Sequence, residues 1–117
     1  GSQSGYVHKV LDLTDDLDKV FTELSSLRTN GGDEYCAAVI SAAMKQQSWS
    51  KGKRNLKIIV TAGNEAATQD PRLNVFELAK EAATQGIIIN TIFCGSPLDS
   101  MASDWRKVAS SADGQFA

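Results

Sequence analysis

The chain has 117 residues, of which 42% are hydrophobic and 22% charged, enough for one domain around one core. Its 12 basic and 14 acidic side chains are interspersed and sum to a net charge of -2, leaving no basic stripe or aromatic platform to hold nucleic acid. The apolar runs are too short to cross a bilayer, no signal-peptide pattern opens the chain, and two cysteines make neither a disulfide framework nor a zinc spacing.

Residues 1–4, Gly-Ser-Gln-Ser, read as a tag or linker, and residues 5–117 as the domain. Residues 6–13 alternate apolar and polar side chains as a strand with one wetter face does, which places them at a sheet edge. His8 falls on this stretch without a second ligand-type residue at metal spacing, so no role is assigned to it. Thr14 can cap a following helix, Asp15 and Asp16 suit its positive end, and Leu17, Val20, Phe21, Leu24 and Leu27 form its apolar face. Asn30-Gly31-Gly32-Asp33-Glu34 is a loop that runs into an alanine-rich helix over 35–47, with Ala38, Val39, Ala42 and Ala43 as its packing residues. Asp33 suits both the N-cap of that helix and a ligand role. Trp49 closes the helix, and residues 50–54 are a basic turn.

Residues 55–65, Asn-Leu-Lys-Ile-Ile-Val-Thr-Ala-Gly-Asn-Glu, form the central strand; its nearly unbroken aliphatic run predicts cover on both faces. A polar loop with Pro71 leads to a helix over 73–85 that buries Val75, Leu78, Ala79 and Ala82 and stops at Gly86. A second buried strand over 86–94 delivers Cys94-Gly95-Ser96-Pro97 to the same end of the sheet as the first. A last helix over 101–111 turns Trp105 and Val108 inward, and after Asp113-Gly114 residues 115–117 begin another strand. The predicted fold class is α/β, with three layers, a mostly parallel sheet and helices on both faces, Rossmann-like but incomplete. In open sheets of this kind ligands meet the carboxyl ends of the strands, which directs attention to residues 61–68 and 94–99.

The order of Gly31-Gly32-Asp33-Glu34-Tyr35, Thr61-Ala62-Gly63-Asn64-Glu65, the strand ending in Cys94-Gly95, Asp104-Trp105-Arg106-Lys107-Val108 and Asp113-Gly114 resembles the later part of a von Willebrand factor type A domain, in a bacterial subgroup. The resemblance spans about residues 5–116. It implies a doubly wound sheet whose rim holds a divalent cation completed by an acidic group of a protein partner, and a bacterial envelope or secreted location. The family's Asp-x-Ser-x-Ser loop has no counterpart here, Asp33 stands at the position of its threonine, and Ala62 at the position of its third-loop aspartate. The expectation is therefore a degenerate adhesion site: no cofactor, Asp33 and Glu65 as weak metal candidates, and Mg2+ only with residues outside this chain.

The leading functional expectation is a non-enzymatic protein-interaction module whose rim of Asp33, Glu34, Asn64, Glu65, Cys94 and Ser96 faces an unidentified protein partner. The alternatives are a small flavodoxin-like or hydrolase-type enzyme using Cys94 as nucleophile, which lacks an evident base, and an inactive domain fragment. The strands that the resemblance places beside the central strand are also missing. An open edge of that kind predicts a homodimer or strand-exchanged assembly, unless residues 6–13 close it.

Overall fold

The computed structural model describes residues 7–27, 35–52 and 54–117. Its centre is a parallel pair, β1 (Lys57–Gly63) and β2 (Ile87–Phe93), in register from Lys57 opposite Ile87 to Gly63 opposite Phe93. Opposite residues share a face of the sheet, so Ile59, Thr61, Ile87, Ile89, Thr91 and Phe93 fall together, and all six are buried. The helix α3 (Val75–Thr84) carries the chain from β1 to β2, and α4 (Ser100–Ser111) carries it on to the C-terminal residues. Those residues lie along the outer edge of β2: Thr91 and Phe116 form a parallel bridge, Phe93 donates to the Ala117 carbonyl at 2.9 Å, and Ala117 donates to the Thr91 carbonyl at 2.9 Å. The strand start expected over 115–117 is thus present as a short third partner.

Three helices supply the core. α3 buries Val75, Ala79 and Ala82, and α4 buries Ala102, Trp105, Val108 and Ala109, each at the three- and four-residue spacing of one helix face. The preceding helix α2 (Cys36–Gln46) buries Cys36, Ala37, Ile40 and Met44. That is a different stripe from the one expected, since Val39 is exposed and Ala38, Ala42 and Ala43 are only half-buried. Large apolar side chains, Ile40 and Met44, chose the buried face over small ones. Trp105, Ile40, Ile89, Val75 and Val108 are the largest fully buried apolar side chains, each worth roughly 1.5–3 kcal/mol of burial. Polar groups among them are paired: the Thr91 hydroxyl donates to the Trp105 carbonyl at 2.8 Å, tying β2 to α4.

The ends of α3 and the start of α4 follow their sequence signals. Asn74 caps α3 by accepting from the amides of Phe76 and Glu77, Asp99 caps α4 by accepting from Met101, and Gly86 ends the α3 turn at φ 77°.

Three expectations are corrected. The stretch 7–13 forms no strand; it lies against the C-terminal end of α2, where Lys9 Nζ donates to the Gln46 carbonyl at 2.6 Å, Gln47 Nε2 to the Leu11 carbonyl at 3.1 Å and Ser48 to Asp12. The last carbonyls of a helix need donors, and this extended stretch supplies one instead of pairing with β1. The helix α1 (Leu17–Ser25) starts at Asp16, whose carboxylate accepts from the Lys19 amide, not at Thr14, and it buries none of its residues. Among the described residues the central strand is covered on one face: Ile58, Val60 and Ile92 on the other face are 38%, 60% and 40% exposed. Among the described residues no second helical layer covers that face and no strand pairs with the far edge of β1. None of the described helices is long and apolar enough to cross a membrane.

Candidate functional site

The carboxyl ends of β1 and β2 come together through one short bond, from the Cys94 amide to the Gly63 carbonyl at 2.7 Å. This joins the two loops that carry four of the expected rim residues, Asn64 and Glu65 after β1, and Cys94 and Ser96 after β2. Asp33 and Glu34 lie outside the described residues. Asn64, Cys94 and Ser96 are exposed and Glu65 is half-buried. The Glu65 carbonyl accepts from the Trp105 indole at 2.8 Å, so the largest buried side chain of α4 also fixes the first rim loop.

The second rim loop is held at several points. Ser96 accepts twice, through its carbonyl from Asp99 at 3.0 Å and through its hydroxyl from the Leu98 amide at 3.2 Å, and Asp99 in turn caps α4. Gly95 sits where a Cβ would come within 2.8 Å of the Phe93 ring, so a larger residue would displace either the loop or a core aromatic. At the tip Leu98 is 94% exposed. Leu98 falls within the stretch 94–99 to which the strand ends direct attention, and an apolar side chain between Pro97 and the helix-capping Asp99 is the available signal for it.

The β1–α3 loop contains a feature that the sequence reading passed over. Asp70 is buried, and its carboxylate accepts from the Arg72 amide at 2.9 Å and from the Arg72 guanidinium through Nε and Nη2, each at 3.1 Å. Those charge-assisted bonds hold the Asp70 carboxyl below the usual carboxylate range and raise Arg72. The guanidinium also sits 5.6 Å from the centre of the Tyr35 ring at the start of α2, which links the loop to the next helix. An aspartate before Pro71 in a turn is the local clue.

The chemistry available at the rim is limited. Cys94 is an exposed free thiol, whereas Cys36 is buried with its Sγ 3.8 Å from the Thr61 hydroxyl. His8 lines a pocket formed by residues 7–11, α1 and α2, together with Val10, Leu24 and Val39. Among the described residues no three His, Cys, Asp or Glu side chains gather as a cation site would require. The chain matches no protein-family model, no curated protein and no solved structure.

Proposed function

We propose that the chain is a non-enzymatic protein-interaction module that binds its partner through the rim of Asn64, Glu65, Cys94 and Ser96, extended by Asp33 and Glu34. The observation that carries this reading is Leu98. It is held 94% exposed on a loop pinned through Ser96 and Asp99, so its exposure is built into the fold and is not the swing of a loose chain. An apolar side chain presented on a pinned loop between polar Ser96 and Asp99 is the arrangement of an interface anchor, because little ordering entropy remains to oppose docking.

In this reading the domain is of the von Willebrand factor A type with a degenerate adhesion site, in which Ala62 removes the third-loop ligand and Mg2+ binds only with residues from outside the chain. The three-layer sheet is completed by another polypeptide, most simply a second copy of this one. The edge of β1 that no described strand pairs with and the exposed Leu56, Ile58 and Val60 support that part of the proposal, since unpaired backbone and apolar surface gain by being covered.

A photoreactive residue at position 98 tests the rim. The expected result is one discrete crosslinked partner, suppressed by Glu65→Arg and not formed from the exposed Lys80 on α3. Equal labelling from both positions would sink the reading. Hydrolysis of small esters that is abolished by alkylating Cys94 would instead establish the thiol enzyme.

A further inference from the structure

Two apolar surfaces are left uncovered among the described residues, and they differ in kind. One is a helix face: α1 buries none of its residues, and Leu17, Phe21 and Leu24, spaced by four and three, are exposed. The other is the reverse face of the sheet, where Ile58 lies opposite Ile88, Val60 opposite Asn90 and Ala62 opposite Ile92. Ile58, Val60 and Ile92 are exposed, as is Leu56 just before the strand. Parallel sheets carry helices on both faces, and an amphipathic helix needs an apolar surface to lie on. Residues 1–6, 28–34 and 53 bring one large apolar side chain, Tyr6, which is too little to cover either surface.

The two surfaces stand on different sides of one molecule. The helices α2, α3 and α4 share a core with Ile59, Ile87 and Ile89, on the face of the sheet opposite Ile58 and Val60. The stretch leading into α1 is tied to the end of α2, by Lys9 to the Gln46 carbonyl, by Gln47 to the Leu11 carbonyl and by Ser48 to Asp12, and α1 itself lines a cleft with Val39 and Ala42 of α2. While those bonds hold, α1 stays with the helical layer, and its apolar face can meet an exposed sheet face only on another molecule.

Charge matches the same pair of surfaces. Residues 15–23 carry Asp15, Asp16, Asp18 and Glu23 against the single Lys19, whereas residues 50–57, which run into the exposed sheet face, carry Lys51, Lys53, Arg54 and Lys57 and no acidic residue. Lys51 and Arg54 are exposed. An acidic amphipathic helix and an apolar face with a basic entry are complementary in both respects, so the occupant is a second copy of this chain.

We infer that α1 of one copy docks on the exposed β1–β2 face of the next. The inference rests on the part of the proposed function in which a second copy completes the layers, names the segment that does so, and is independent of the rim. Because the two surfaces are different patches, the contact is heterologous: a copy bound through its helix still offers its sheet, and association runs past the dimer into a ring or a chain.

Sedimentation of the unaltered chain should show species larger than a dimer that grow with concentration. Phe21→Glu disables the helix face and Val60→Glu the sheet face. Both replace exposed side chains, so the unfolding of the dilute chain should shift little. Each variant alone should stay monomeric at concentrations where the unaltered chain associates. An equimolar mixture should form a dimer and stop there, because the intact α1 of the Val60→Glu copy meets the intact sheet of the Phe21→Glu copy, and the two surfaces left over both carry the new carboxylate. An unaltered chain that stays monomeric or stops at a dimer, association that survives in either variant, or a mixture that stays monomeric or grows past the dimer would overturn the proposal. So would a large loss of stability in dilute Phe21→Glu, since α1 would then pack within its own chain. Crosslinking from position 98 tests the rim separately, because it uses neither surface.

Discussion

Residues 57–117 and residues 7–27 obey the same apolar periodicity and end in opposite states. The first region folds around Ile89, Trp105 and Val108, while the second forms α1 with Leu17, Phe21 and Leu24 at 76%, 72% and 63% exposure. Both have helices with sound caps and apolar faces. The difference is that α3 and α4 meet a sheet face of fixed register, whereas α1 follows a stretch that is committed to the end of α2. Periodicity therefore specifies a helix and a face, but burial needs a second surface at the right distance.

The sharpest way to break this comparison is to remove the centre of the stronger region. Trp105 is 2% exposed, donates to the Glu65 carbonyl and packs 6.1 Å from Phe93 between ring centres. Trp105→Ala should cost about 3–5 kcal/mol in urea unfolding, a large share of the stability of a small domain. A smaller loss is expected from Gly114→Ala, where a Cβ would stand 1.8 Å from the Ile89 carbonyl oxygen. Relief of that clash should cost about 1–3 kcal/mol. It should also free the C-terminal residues from β2, so that hydrogen exchange quickens at Thr91 and Phe93, whose amides donate to Gln115 and Ala117.

The same contrast explains what could be read from the sequence. The β1, α3, β2, α4 order, the core positions Trp105 and Val108 and the turn at Gly86 were legible because local signals and tertiary demand agree there. The second face of β1 was not, because an aliphatic run announces burial without naming what would cover it. Residues 7–13 misled for a related reason: alternation reports a two-sided extended segment, and the donors that Lys9 and Gln47 bring to this contact leave no mark on the pattern. At the rim, strand ends could be placed from the apolar runs alone. Leu98 and the buried Asp70 could not, since their settings depend on loop geometry.

Gly86→Ala probes a joint within the stronger region. The φ of 77° there disfavours any side chain, but nothing lies within 4 Å of the position a Cβ would take. The expected cost is backbone strain alone, about 1 kcal/mol, read as a shift of the urea midpoint at constant slope. Acid should act mainly on the weaker region. Hydrogen bonds from the Ser48 side chain and amide, then from the Leu13 amide, hold the Asp12 carboxyl well below the usual carboxylate range. A depressed folded value stabilises above the ordinary one, near about 3.9, and that stabilisation disappears as the pH falls through the folded value. Trp49 fluorescence should therefore be flat from neutral pH down to the ordinary carboxylate value and change below it. Asp12→Ala should remove that acid limb, while the part due to Asp70 and Arg72 remains.

The smallest expected effect is the most discriminating for the comparison. Phe21 sits on α1 at 72% exposure, so Phe21→Ala removes little buried surface from the chain and leaves the Asp16 cap intact. Equilibrium unfolding at low protein concentration should change by no more than about 0.5 kcal/mol, the range of surface substitutions. Repeating the measurement at high concentration adds a second axis. If the α1 face is covered by another copy, the cost of Phe21→Ala should grow with concentration, because association stabilises the unaltered chain more than the variant. Light scattering on the same samples separates the cases. A loss well above 1 kcal/mol in a monodisperse monomer would mean that α1 packs within its own chain in solution, and the contrast between the two regions would be withdrawn.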